Sequence, residues 1–193
     1  MNASTHKAVF LDRDGVLIED TDLLTEEAKL RVLAGVPEAL ITLRQAGFLL
    51  MVISNQPVVA RGLITEAGVE QIHRALDARL QSAGAGIDRY YFCPHHPKAT
   101  LPQYRMNCEC RKPQPGMLLR AAQECGIDLA QSFCVGDRLT DIVAGAKAGC
   151  RTVLVQTGRH LDPLIESAAP VDLSIKPDWT CANLKEAAAW ILK

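Results

Sequence analysis

At 193 residues, 48% hydrophobic and 22% charged, with a formal net charge of −1, the chain has the make-up of one globular domain, 1–193. Lys and Arg are spread along it, which excludes the electrostatic footprint of a nucleic-acid binder. No apolar run approaches the ~20 residues that span a bilayer, and the opening Met-Asn-Ala-Ser-Thr-His-Lys lacks a signal peptide's apolar segment; a cytoplasmic protein away from the membrane is expected.

Ala8 to Leu11 is a short apolar run closed by Asp12-Arg13-Asp14-Gly15, which predicts a buried strand ending in a turn. Residues 17–34 are mixed and acidic and read as a loop or small flap. Val36 to Ala46 predicts a helix stopped at Gly47, and Phe48 to Ile53 a second buried strand opening onto Ser54-Asn55-Gln56. Thr65 is an N-cap signal for a helix with Val69, Ile72, Leu76 and Leu80 on one stripe, ended by Gly84 and Gly86. Tyr90 to Phe92 is a short strand, Pro115-Gly116 starts a helix to Cys125, and Phe133 to Val135 is a strand leading into Gly136-Asp137. Thr140 to Ala148 predicts a helix, Thr152 to Val155 and Leu173 to Ile175 strands. Asn183 with Glu186 marks a capping box for a terminal helix to Leu192. Strands alternating with helices imply a doubly wound, mainly parallel α/β sheet covered on both faces. Ligands of such sheets bind outside the carboxyl ends of the strands.

The polar strand tips therefore carry the chemistry. Side chains alternate along a strand, so Asp12 and Asp14 emerge on one side of the first strand's end, where two carboxylates repel unless a proton or cation intervenes. With Asp137 they offer oxygens suited to magnesium, and Asp141, one helical turn beyond Asp137, is placed to buttress it. Ser54 offers a hydroxyl beside backbone amides for phosphate oxygens. Arg111-Lys112, in the loop Arg-Lys-Pro-Gln-Pro-Gly, brings fixed positive charge. Nucleophile, acid, metal and phosphate clamp are the parts that phosphoryl transfer needs.

Of seven cysteines, Cys125, Cys134, Cys150 and Cys181 sit singly among apolar stretches and read as buried small hydrophobes. Cys93-Pro-His95-His96 and Cys108-Glu-Cys110 bracket a polar, Pro-containing loop, 93–110. Three thiolates and one imidazole suit a closed tetrahedral zinc that would order such a loop, with His95 or its neighbour His96 as the fourth ligand.

Asp12-Arg13-Asp14-Gly15, Ser54-Asn55-Gln56, Arg111-Lys112-Pro113 and Gly136-Asp137-Arg138-Leu139-Thr140-Asp141 resemble, in order, the four motifs of the haloacid dehalogenase superfamily of phosphohydrolases. Their spacing and the cysteine loop are most similar to the subfamily of heptose 1,7-bisphosphate 7-phosphatases, whose near relatives are histidinol-phosphate phosphatases. The resemblance implies that Asp12 attacks phosphorus and forms an aspartyl phosphate, while Asp14 protonates the leaving alcohol and then deprotonates water. It implies that Ser54 and Lys112 stabilise the transferring group, and that Asp12, Asp137 and the main-chain carbonyl of Asp14 hold Mg2+. It carries Zn2+, in a structural role, to Cys93, His95, Cys108 and Cys110. Arg13, Asp20, Asn55, Gln56, Arg61, Arg111 and Arg138 are the expected substrate contacts, Arg61 toward a second phosphate. Arg138 stands where the subfamily often has Lys.

The stretches between Gly15 and Val36 and between Arg61 and Gly86 are too short for a separate cap domain, so an open site taking an extended sugar phosphate is expected, in a monomer. Two segments depart from the subfamily's pattern: Thr21-Asp22-Leu23-Leu24, where a Gly-Tyr pair is typical, and Pro57-Val58-Val59, where Ser-Gly-Ile is typical. Both border the expected substrate. A heptose-bisphosphate phosphatase is the expected activity. A histidinol-phosphate or other small phosphomonoester phosphatase is the alternative, and a catalytically silent binding fold is disfavoured by the intact reactive groups.

Overall fold

The computed structural model describes residues 6–161 and 171–193. Its frame is a six-stranded sheet made of β1 (Lys7–Leu11), β2 (Phe48–Asn55), β3 (Arg89–Cys93), β4 (Phe133–Gly136), β5 (Arg151–Val155) and β6 (Trp179–Cys181). All pairings are parallel and the order is β3-β2-β1-β4-β5-β6. Parallel strands need covering on both faces, which explains why β1, β2 and β4 are near-continuous apolar runs rather than alternating ones.

Among the described residues, six α-helices accompany the strands: α1 (Val36–Gln45), α2 (Pro57–Ala60), α3 (Glu66–Ser82), α4 (Gly116–Cys125), α5 (Leu139–Ala148) and α6 (Leu184–Ile191). Side-chain alternation sends Val9, Leu11, Leu50 and Val52 to one face, where they pack with α1, α3 and α6. Ala8, Phe10, Met51 and Ile53 go to the other, against α4, with Cys134 and Ala144 of β4 and α5 in the same cluster. Thr65 caps α3 by accepting from the Gly68 amide at 3.1 Å. Asn183 caps α6 by accepting from Glu186 N at 3.0 Å, while Glu186 accepts from the Ala182 amide rather than closing the box on Asn183.

The expected strand over Leu173 to Ile175 is instead a turn. Asp172 Oδ1 accepts from both the amide and the hydroxyl of Ser174, a local bond that competes with strand pairing. The last strand is Trp179–Cys181, beside β5 at the sheet edge. Residues 57–60 form the single turn α2, where Val58 and Val59 pack against Val69 of α3. Between β1 and α1 there is no cap domain, only a 3-10 turn (Glu27–Lys29) and isolated bridges from Ile18 to Asp14 and Val32. No helix among the described residues is long and apolar enough to cross a membrane.

The chain leaves β1 toward β2 on one side and reaches β4 on the other, so the order reverses between β1 and β4. A crevice outside their carboxyl ends is where such sheets bind ligands. Asp12 and Asp137 are the residues that follow those two strands.

Candidate active site and cysteine cluster

Asp12 ends β1 with its amide donating to Val135 O at 3.0 Å, which holds the residue against β4. Its Oδ1 accepts from the Arg13 amide at 2.8 Å and lies 2.9 Å from Lys112 Nζ. Lys112 is 2% exposed; its Nζ also meets Asp141 Oδ1 at 2.6 Å and donates to Ile53 O at 2.9 Å. Asn55 clamps its backbone from β2, accepting from Lys112 N and donating to Lys112 O, both at 3.0 Å. Asp141 accepts from the Arg138 amide at the start of α5. One lysine thus bridges β1, β2 and α5.

Asp12, Asp137 and Asp141 are all buried, and their nearest oxygens lie within 4.8 Å of one another. Burial pushes the Asp12 carboxyl up, Lys112 pulls it back down, and Asp141 raises it again. Asp137 is pushed up to about 8 by burial and by the charges of Asp12 and Asp141. Burial opposes the charge of Lys112, but Asp12 and Asp141 hold it above the ordinary lysine range. Asp137 Oδ2 accepts from the Arg159 amide at 2.7 Å, whereas its buried Oδ1 has no hydrogen-bond partner among the described residues. Three buried carboxylates against one buried ammonium, with one oxygen unclaimed, fit a divalent hard cation. Glycine is required beside them: Gly15 has φ +77°, and a Cβ there would lie 2.5 Å from Asp137 Oδ2.

The side chain of Asp14, expected beside Asp12, stands apart from this trio and is turned to Arg13 and Gln56. Gln56 Nε2 donates to Ser54 Oγ at 2.7 Å, leaving the serine's own proton for another acceptor. Of the expected substrate contacts, Arg13, Gln56 and Asn55 are engaged by protein groups at the strand tips, the first two fully buried. Arg61 is half-buried at the end of α2. Arg111 is buried and donates to His95 O at 3.1 Å.

On the rim, Asp20 Oδ2 lies 3.4 Å from Arg138 Nη2 and 2.7 Å from Arg159 Nε, and Arg159 also pairs with Asp22. Arg159 was not identified from sequence. Its signal was position alone, on the loop after β5 at the same sheet edge.

At the end of β3, Cys93 Sγ lies 3.4 Å from Cys108 Sγ and 3.2 Å from Cys110 Sγ, with Cys108 and Cys110 at 3.2 Å. His95 Nδ1 lies 3.7 Å from Cys93 Sγ and 3.5 Å from Cys110 Sγ. None of these cysteines is disulfide-bonded. With Zn–S bonds of about 2.3 Å and Zn–N of about 2.0 Å, the edges of a tetrahedron run about 3.5–3.8 Å, and the four atoms are already near that size. His96 turns aside, its Nδ1 accepting from Lys98 N at 3.1 Å, and it is the ring nitrogen of His95 that lies with the three thiols. Thiol hydrogen bonds, chiefly from Cys93, pull Cys110 down to about 5, while Cys93 and Cys108 are pushed up by their neighbours and by burial. Such a cluster ionises fully only around a cation. Arg111 and Lys112 follow Cys110 directly, so whatever fixes the cluster also fixes those cations.

A HAD-hydrolase-like family model matches residues 109–187. The chain is 44% identical to D-glycero-beta-D-manno-heptose-1,7-bisphosphate 7-phosphatase of Photorhabdus laumondii over 84% of this chain and 87% of the relative. It is 38% identical to the protein of the same name from Escherichia coli K12, over 99% of this chain and 96% of that one. Among solved structures, the D,D-heptose 1,7-bisphosphate phosphatase of B. bronchiseptica, complexed with magnesium and phosphate, superposes with a TM-score of 0.81 at 34% identity, covering 96% of this chain and 98% of that one.

Proposed function

The chain belongs to the haloacid dehalogenase-like phosphatases, and we propose that it removes the 7-phosphate of D-glycero-β-D-manno-heptose 1,7-bisphosphate with magnesium. The observation that carries the chemistry is the buried trio Asp12, Asp137 and Asp141 around Lys112 Nζ, at the crevice between β1 and β4. The relatives' names support the sugar. Asp12 attacks phosphorus as the P–O7 bond breaks, and Asp14 gives the departing oxygen its proton. Asp14 then takes a proton from the water that attacks the aspartyl phosphate, releasing inorganic phosphate and restoring Asp12. Lys112 and the Ser54 hydroxyl meet the charge on the transferring phosphoryl oxygens. Magnesium, held by Asp12, Asp137 and the Asp14 carbonyl, would neutralise further charge there. Arg61, Arg111 and Arg138, with Asp20, hold the remainder of the sugar bisphosphate. In this reading the protein is a cytoplasmic monomer supplying heptose for lipopolysaccharide.

The substrate is tested by kcat/KM on heptose 1,7-bisphosphate, both anomers, against histidinol phosphate. The expected preference for the β-anomer over histidinol phosphate is at least about 10²-fold, because sites built for a second charged group reject substrates that lack it. A preference for histidinol phosphate contradicts the assignment.

Cys93, His95, Cys108 and Cys110 hold zinc as a structural staple in the same reading. Protein purified without chelator is expected to contain one zinc per chain by elemental analysis, and Cys108→Ser to lose most of it together with activity. Zinc-free protein with full activity argues against the staple.

A further inference from the structure

Arg13 stands between Asp12 and Asp14 in sequence, yet it is 1% exposed and faces inward. Its Nη2 reaches both oxygens of Asp14, at 2.8 and 3.0 Å, and donates to Gln56 Oε1 at 3.0 Å. Gln56, 2% exposed, closes the ring by donating from Nε2 to Asp14 Oδ2 at 3.1 Å. A guanidinium only donates and a carboxylate only accepts, so the Gln56 amide has one orientation that serves both. Asp14 is thereby gripped by two side chains that are themselves buried.

The arrangement is costly to the fold. Arg13 Nε and Nη1 are buried without a hydrogen-bond partner among the described residues. Burial, with the charge of Arg13, pushes the nearby His73 down to about 3, so that imidazole is neutral. Only its Nη2 is satisfied, and the partners of that atom are Asp14 and Gln56, so the buried guanidinium at position 13 is committed to those two side chains.

We propose that Arg13 is a positioning residue: with Gln56 it aims the Asp14 carboxyl at the oxygen that leaves. The proposal rests on Asp14 being the acid and base of the reaction. An alkoxide leaving group needs a proton delivered in place, whereas a nitrophenolate departs without one, so misaiming Asp14 penalises the first far more.

The experiment compares kcat/KM, which covers the steps through release of the leaving group, on the heptose bisphosphate and on p-nitrophenyl phosphate. Arg13→Met is expected to lose about 10²-fold on the sugar and at least about tenfold less on the aryl ester. Gln56→Met carries the same test with a smaller loss should Arg13→Met not fold. Arg13→Lys, which keeps the charge without the planar fork, recovers only part of the loss. Equal losses on both substrates for Arg13→Met and Gln56→Met, with Asp14→Asn still discriminating, overturn the positioning role. Equal losses for Asp14→Asn overturn the acid–base reading beneath it.

Discussion

Asp12→Asn is expected to give a folded protein without turnover, kcat falling at least about 10⁴-fold as when a covalent nucleophile is removed from other hydrolases. The substitution keeps shape and removes only the attacking charge. An amide oxygen still accepts from the Arg13 amide, and Lys112 keeps its 2.6 Å contact with Asp141. Burial already disfavours the ionised form of Asp12, so losing that charge does not weaken the fold. Circular dichroism and melting should match the parent. Retained phosphatase activity in this variant would sink the mechanism.

Lys112→Met is expected to fail differently, losing stability and activity together. Its ammonium is the only cation in direct ion-pair contact with both Asp12 and Asp141 among the described residues. Removing it leaves two buried carboxylates facing each other. Breaking a buried pair from one side costs about 3–5 kcal/mol, read as a fall in the denaturation midpoint at unchanged m-value. Activity should fall about 10²–10³-fold, the usual loss when one charge-stabilising donor is removed. Adding Asp141→Asn should restore part of the stability and none of the activity. Recovery of turnover in the double variant would place Lys112 in the scaffold alone.

The contrast between these variants reflects what was legible in the chain. The parallel sheet and the edge carrying its chemistry follow from apolar runs that stop at Asp12, Ser54 and Asp137, because central parallel strands cannot alternate. The edge strand was not legible. Leu173-Ser174-Ile175 has the alternation, but Asp172 turns the backbone, while Trp179 and Thr180 lie open at the sheet's border. Neighbouring histidines could not be told apart, since the choice depends on how the loop after β3 folds back to Cys108 and Cys110. The period-2 rule could not place Asp14 or Arg13, because β1 ends at Leu11 and the turn that follows points Asp14 to the buried Arg13 rather than to Asp12. Arg159 carried no motif, and only the fold brings its amide to Asp137.

The most direct measurement of the central claim is chemical trapping on the parent enzyme. Quenching during turnover of the heptose bisphosphate, reducing with borohydride and mapping by mass spectrometry should find homoserine at position 12, the product of a reduced aspartyl phosphate. Homoserine at another aspartate, or turnover with no trapped residue while magnesium and substrate are saturating, would contradict Asp12 as the nucleophile.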